Sequence, residues 1–153
     1  MQLSNNFTLK ELTKSQTATR KGIHNEPSTE HVENLIHLAK NILQPVREHF
    51  GKPVIISSGY RSPELCEAIG SSAKSQHAKG EAADFEIGGV DNKELAAWIA
   101  DNCDFDQLIL EFYDGVDPNS GWIHCSSTKG KSRKQTLTAQ KIEGRTSYSP
   151  ILL

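Results

Sequence analysis

Ser75-Gln76-His77-Ala78-Lys79-Gly80-Glu81-Ala82-Ala83-Asp84 sets a histidine seven residues ahead of an aspartate, with Gly80 free to turn the chain between them. From Ala82 to Ile87 the pattern alternates, which puts Asp84 and Glu86 on one side and Phe85 and Ile87 on the other. That is a strand with one face in a core, and it holds a carboxylate on a rigid element. Downstream, Asp91 to Asn102 reads as a helix with Asp91 as cap and Glu94 as the acid at its third position. Gln107 to Phe112 reads as a strand, Tyr113 to Ser120 as a polar link, and Trp122 to Ser126 as another strand. Beyond Thr128 the chain turns basic and polar, with an edge strand expected near Gln135 to Ala139 and loosely held final residues.

Upstream the periods become helical. Thr8-Leu9-Lys10-Glu11 is a capping box that starts a short helix. Ser15 to Pro27 is polar, interrupted by Gly22, and reads as a connecting loop. From Ser28, the residues Val32, Leu35, Ile36, Ala39, Ile42, Leu43, Val46 and Phe50 form the stripe of an amphipathic helix ending at Gly51. Pro45 lacks an amide donor, so a kink or break is expected near Gln44. Val54 to Ser58 reads as a short buried strand, and Ser62-Pro63-Glu64 as the start of a helix stopping at Gly70. Helices thus gather in the N-terminal half and strands in the C-terminal half. The expected class is α+β, with N-terminal helices packed on a small, mainly antiparallel sheet in one domain spanning 1–153.

Composition narrows the function classes. The 153 residues are 36% hydrophobic, 7% aromatic and 24% charged, ordinary for a domain with one core. Seventeen Lys plus Arg against nineteen Asp plus Glu give a net charge of -2, so no global field draws a nucleic acid or an anionic membrane. The basic cluster Lys129, Lys131, Arg133 and Lys134 reads as a solvated edge; a DNA-binding role for it would show as a steep salt dependence. Apolar runs are strand-sized, far below the roughly 20 residues of a membrane span. Met1 to Glu11 has no secretory pattern, so synthesis in a cytoplasm is expected. Cys66, Cys103 and Cys125 lack metal or disulfide spacing and read as small buried hydrophobes; Cys125 and its neighbour His124 point to opposite faces of a strand.

Among six histidines, His24, His31, His37 and His49 read as surface positions. His77 and His124 sit in strand or strand-approach segments. Alternation in Gly121-Trp122-Ile123-His124-Cys125-Ser126 places Trp122, His124 and Ser126 on one face. Two histidines and one carboxylate on neighbouring strands are the three protein ligands of a catalytic zinc site with a fourth position open. The same residues also suit a buried His–Asp pair that orders the sheet, and spacing alone leaves the two readings even.

The ordered segments Ser57-Ser58-Gly59-Tyr60-Arg61-Ser62, Ser75-x-His77-x-x-Gly80-x-Ala82-x-Asp84 and Trp122-x-His124 resemble the signature of the zinc D-alanyl-D-alanine carboxypeptidases and L-alanyl-D-glutamate endopeptidases. These peptidoglycan enzymes share a fold with the vancomycin-resistance dipeptidase and the Hedgehog domain. Phe7-Thr8-Leu9-Lys10-Glu11-Leu12 through Gly59-Tyr60-Arg61-Ser62 is similar to their small phage and prophage members, and the similarity runs roughly from Phe7 to Ser126. The resemblance implies that His77, Asp84 and His124 bind Zn²⁺, that Arg61 steadies substrate or oxyanion, and that Ser75 and Gln76 contact substrate or support the ligands. Trp122 walls the cleft or packs beside it.

Relatives commonly carry a general-base acid three residues before the last histidine, where this chain has Gly121. The expected base is instead Glu111, on the face of Gln107 and Ile109; a hairpin closed by the following link would bring it across from Trp122 and within a diagonal step of His124. Glu86, Asp114 and Asp117 are reserves. The implied activity is zinc-dependent hydrolysis of amide bonds in peptidoglycan stem peptides, between D-alanines or between L-Ala and D-Glu, by a monomer with no nucleic-acid or membrane partner. Lysis by a phage or prophage would bring it to the wall through a holin or as part of a virion. The alternative is a non-catalytic zinc- or wall-binding module of the same fold.

Overall fold

The computed structural model describes residues 1–150. A small hairpin, β1 (Gln2–Ser4) and β2 (Phe7–Thr8), leads into α1 (Leu9–Thr13), where the Thr8 hydroxyl accepts from the Glu11 amide at 3.2 Å as the capping box requires. The hairpin was not expected from the sequence. Within the segment read as a loop, Gln16–Lys21 forms α2, capped by Ser15 and closed by Gly22 in the left-handed conformation. Its only buried residue is Ala18, so it has no apolar stripe to betray it. Arg145–Pro150 forms a strand with every residue exposed, and the end of the chain, residues 151–153, expected to be loosely held, lies outside the described residues.

The long amphipathic stretch breaks as Pro45 demands. It runs as α3 (Thr29–Leu38), a π-helical turn (Ala39–Leu43) and α4 (Gln44–Phe50). The turn widens the helix immediately before the proline, whose ring would crowd the carbonyl four residues back. Leu35, Leu38, Ile42, Leu43 and Val46 remain fully buried through all three pieces, so the register of the apolar face survives the change.

The main sheet has six strands in the order β3 (Ile55–Ser58), β4 (Ala82–Glu86), β6 (Trp122–Ser126), β5 (Gln107–Glu111), β7 (Gln135–Ile142) and β8 (Arg145–Pro150). All neighbours are antiparallel except β5 and β7. Two expectations about edges change here. β3 is an edge strand with Ile55 54% exposed, and the β-branched run was read as buried because strand composition does not reveal the number of neighbours. β7 lies inside the sheet, and β8 forms the other edge.

Phe85, Ile87, Leu108, Leu110, Ile123 and Cys125 face one side, in a single core with α3, α4 and α6 (Asn92–Asn102). Burying each large apolar side chain contributes roughly 1.5–3 kcal/mol, so the helical layer fixes the strands that carry polar groups on their opposite face. The three cysteines are buried and unpaired, as read. His24 and His49 are exposed, whereas His31 and His37 are half-buried, His31 tilted against Tyr60 with ring centroids 5.6 Å apart. Among the described residues no helix is long and apolar enough to cross a membrane.

Candidate metal centre

On the sheet face away from the helices, strand register lines up one row of residues: Ser58 opposite Asp84, Asp84 opposite His124, and His124 opposite Ile109. His77 reaches the row from a 3₁₀ turn (Gln76–Lys79) whose first amide bonds are organised by Ser75, its hydroxyl accepting from the His77 amide at 3.2 Å. One Asp84 oxygen, Oδ1, lies 2.9 Å from His124 Nδ1 and 3.4 Å from His77 Nε2. One ligand atom from each of the three residues lies within 4.8 Å of the others, the spacing of a group that could hold a metal ion.

Their chemistry fits such an ion. His77 Nδ1 donates to the Gly59 carbonyl at 2.7 Å, which turns Nε2 toward Asp84 as the nitrogen a metal ion would take in place of a proton. Burial pushes the Asp84 carboxyl upward, but hydrogen bonds and charge from His124 and His77 overcome it and hold it well below the usual carboxylate range. Asp84 is therefore ionised at neutral pH, as a ligand must be. Two imidazoles and a carboxylate are a donor set suited to zinc.

Gly59 permits this arrangement through close approach. A Cβ there would lie 2.3 Å from the Leu12 carbonyl oxygen, the acceptor of the 2.7 Å bond from the Tyr60 amide. Arg61 follows, with its amide donating to the His77 carbonyl at 3.1 Å and its side-chain Nε buried without a partner. A buried, unsatisfied guanidinium donor lining the same cleft as the donor cluster is suited to a carbonyl oxygen or a carboxylate.

A cleft of about 530 Å³ gathers Arg61, Ser75, Gln76, His77, Asp84, Glu111, Trp122 and His124, all the residues singled out as candidate ligands, catalysts or substrate contacts. Glu111 stands directly opposite Trp122 in the β5–β6 hairpin, two positions along from the Ile109–His124 pair. Burial raises its carboxyl above the ordinary range, helped by the charge of Asp84 and opposed by His124, Trp122 and Arg61. The Trp122 indole N–H lies near this carboxylate without forming a hydrogen bond of good geometry, and its ring packs on Phe112 with centroids 5.4 Å apart. Glu86, Asp114 and Asp117 are outside the cleft lining. Asp114 instead accepts from the Val116 and Asp117 amides, both at 2.8 Å, and shapes its own loop.

Gly121 stands where the resemblance implies a general-base acid, and the backbone there leaves no room for one. Its φ is 65°, and a Cβ would fall 1.8 Å from the Glu111 carbonyl oxygen. Four further residues line the cleft that the sequence does not single out as candidates: Gln107, Ile109, Arg133 and Tyr148. The alternation of β5 puts the first two on Glu111's face; Arg133, read as part of a solvated edge, and Tyr148 carry no local mark of the cleft. The basic cluster is dispersed, with Lys129 paired to Glu33 at 3.3 Å and Arg133 to Asp106 at 2.8 Å.

No curated protein matches the sequence. The family model described as Peptidase M15 matches residues 5–126, a span that starts in the first hairpin and ends with the strand bearing His124, and the chain belongs to that family.

Proposed function

We propose that the chain is a zinc metallopeptidase that hydrolyses amide bonds in peptidoglycan stem peptides, with residues 1–153 forming one catalytic domain that acts as a monomer. The observation that carries this reading is the convergence of three metal-type donor atoms within 4.8 Å in a cleft that also holds an acid, Glu111, and a guanidinium, Arg61. Family membership supports both the peptidase chemistry and zinc as the metal. The similarity of the Phe7 to Leu12 and Gly59 to Ser62 segments to small phage and prophage enzymes supports wall lysis as the setting, with delivery by a holin or a virion.

His77, Asp84 and His124 would hold Zn²⁺, which when bound supplies Lewis acidity to a water and to the scissile carbonyl. Glu111 as carboxylate takes a proton from the attacking water and returns it to the leaving amine; burial makes it a stronger base than an ordinary carboxylate, which suits both halves of that task. Arg61 donates to the carbonyl oxygen as negative charge develops there. Trp122 walls the cleft, while Ser75 and Gln76 act mainly on protein partners, the His77 amide and the Asp106 carboxylate. The non-catalytic alternative drew on Gly121; an acid on the facing strand favours hydrolysis.

The test is mass spectrometry of purified peptidoglycan fragments after incubation with the protein, with and without a chelator and zinc re-addition. Chelator-sensitive release of peptide pieces is expected and identifies the bond. Intact fragments alongside stoichiometric zinc binding would overturn the hydrolytic reading in favour of a binder.

A further inference from the structure

The cleft carries a second guanidinium that the chemistry above leaves unused. Arg133 comes from the segment between β6 and β7, outside the family-matched residues 5–126. Its Nε donates to Asp106 Oδ1 at 3.0 Å and Oδ2 at 3.1 Å, its Nη2 to Oδ2 at 2.8 Å, and its backbone amide to Oδ1 at 3.0 Å. Asp106 is itself only 4% exposed. It takes a further bond from Gln76 Nε2 at 2.9 Å, and its backbone is tied to Ser126 and Gln135 at 2.8 and 3.0 Å. The anchor is thus fixed to three strands and to the turn bearing His77.

A guanidinium has five N–H donors in a rigid plane. Asp106 occupies the edge formed by Nε and Nη2. Among the described residues no other hydrogen-bond acceptor engages this side chain, so the adjacent edge, made by Nη1 and the second hydrogen of Nη2, is open. The side chain is 55% exposed and lines the cleft. Two parallel donors on a preset plane match a carboxylate, with little rotamer freedom left to lose on binding. Tyr148 of β8, also outside the matched span, adds a phenol donor to the same cleft.

On the strength of the peptidase reading above, we propose that Arg133 is a specificity-determining residue that binds a free carboxylate of the substrate, away from the bond being cut. The ligand class is an acidic peptide. In a stem peptide the internal carboxylates belong to the γ-linked D-glutamate and to the side chain of a diaminopimelate, and amidation removes either without changing shape. The cleft selects acid over amide because the amide offers a donor where Arg133 also has donors.

The test uses the zinc-loaded full chain with the pentapeptide L-Ala-γ-D-Glu-meso-diaminopimelate-D-Ala-D-Ala and its two forms amidated singly at those carboxylates. Wild type is expected to favour the acid over one of the amides by about 10- to 100-fold in kcat/KM, with the difference in KM. Arg133→Gln should erase that preference, bringing kcat/KM for the acid down to that for the amide. Arg133→Lys should recover only part of it, and carries the comparison if the Gln variant fails to fold. Preferences unchanged in the variants, or equal slowing on all three peptides, would overturn the assignment and leave Arg133 as a strut for its loop. If no peptide is cleaved, the peptidase reading falls, and calorimetry of the same peptides separates the two ideas. Tighter binding of the acid, lost in Arg133→Gln, would uphold the subsite; equal or absent binding would remove it.

Discussion

His77 and Gly59, eighteen residues apart, are joined by a 2.7 Å hydrogen bond from the imidazole Nδ1 to the backbone carbonyl. The bond turns Nε2 toward Asp84 and fixes which nitrogen is available to a metal. It exists because the chain at Gly59 runs against the Leu12 carbonyl with no room for a methyl group. Gly59→Ala is therefore expected to weaken zinc binding about 10- to 100-fold, the usual scale for disturbing a partner of a metal ligand, and to lower the melting temperature. Competition titration against a chromogenic chelator measures the first effect; unchanged affinity would show that the His77 orientation does not depend on this approach.

Glu111 and the three donor residues share a cleft but perform separable tasks. Glu111→Gln keeps the shape of the side chain and removes the proton acceptor, so turnover should fall by about 10²- to 10⁴-fold. Zinc affinity should stay within a few-fold of wild type, because Glu111 is not one of the grouped donors. A variant that retains activity would move the base elsewhere, with Glu86 the nearest acid on the same strand face as Asp84.

The hairpin also forbids the relatives' solution. At Gly121 a side chain faces both a φ of 65° and the Glu111 carbonyl, so Gly121→Glu should cost about 3 kcal/mol or more of stability. The double variant Glu111→Gln with Gly121→Glu should stay inactive. Chemical denaturation and turnover of the pair check this, and rescue of activity would mean that the hairpin can open to admit the acid.

Where the chain's logic is local, it is readable without coordinates. The Thr8 cap, the break ahead of Pro45 and the alternation that puts Asp84, His124 and Glu111 on one face all follow from neighbours within a few residues. α2 escaped because five of its six residues stay out of the core, leaving only Ser15 and Gly22 as punctuation. The edge position of β3 and the interior position of β7 depend on which strands arrive beside them, and composition carries no record of that. The Arg133–Asp106 pair spans 27 residues and two strands, so the fourth wall of the cleft was invisible for the same reason.

That pair also gives the fold a measurable acid limit. The Arg133 side chain, followed by burial acting in the opposite sense and by bonds from the Arg133 amide and Gln76, lowers Asp106 to about 2 from an ordinary value of 3.8. A carboxyl depressed in the folded state binds protons more readily when unfolded, so its contribution is complete above about pH 4 and fades as pH falls toward 2. The shift corresponds to about 1–2 kcal/mol once solvent screening at the exposed guanidinium is allowed for. Asp106→Asn should therefore be less stable than wild type at pH 7, and the gap should narrow by about two-thirds of that amount at pH 2.5. Urea denaturation of both proteins at the two pH values measures it. A gap that stays constant would mean that Asp106 is held by geometry alone and that its charge gives Arg133 no electrostatic anchor.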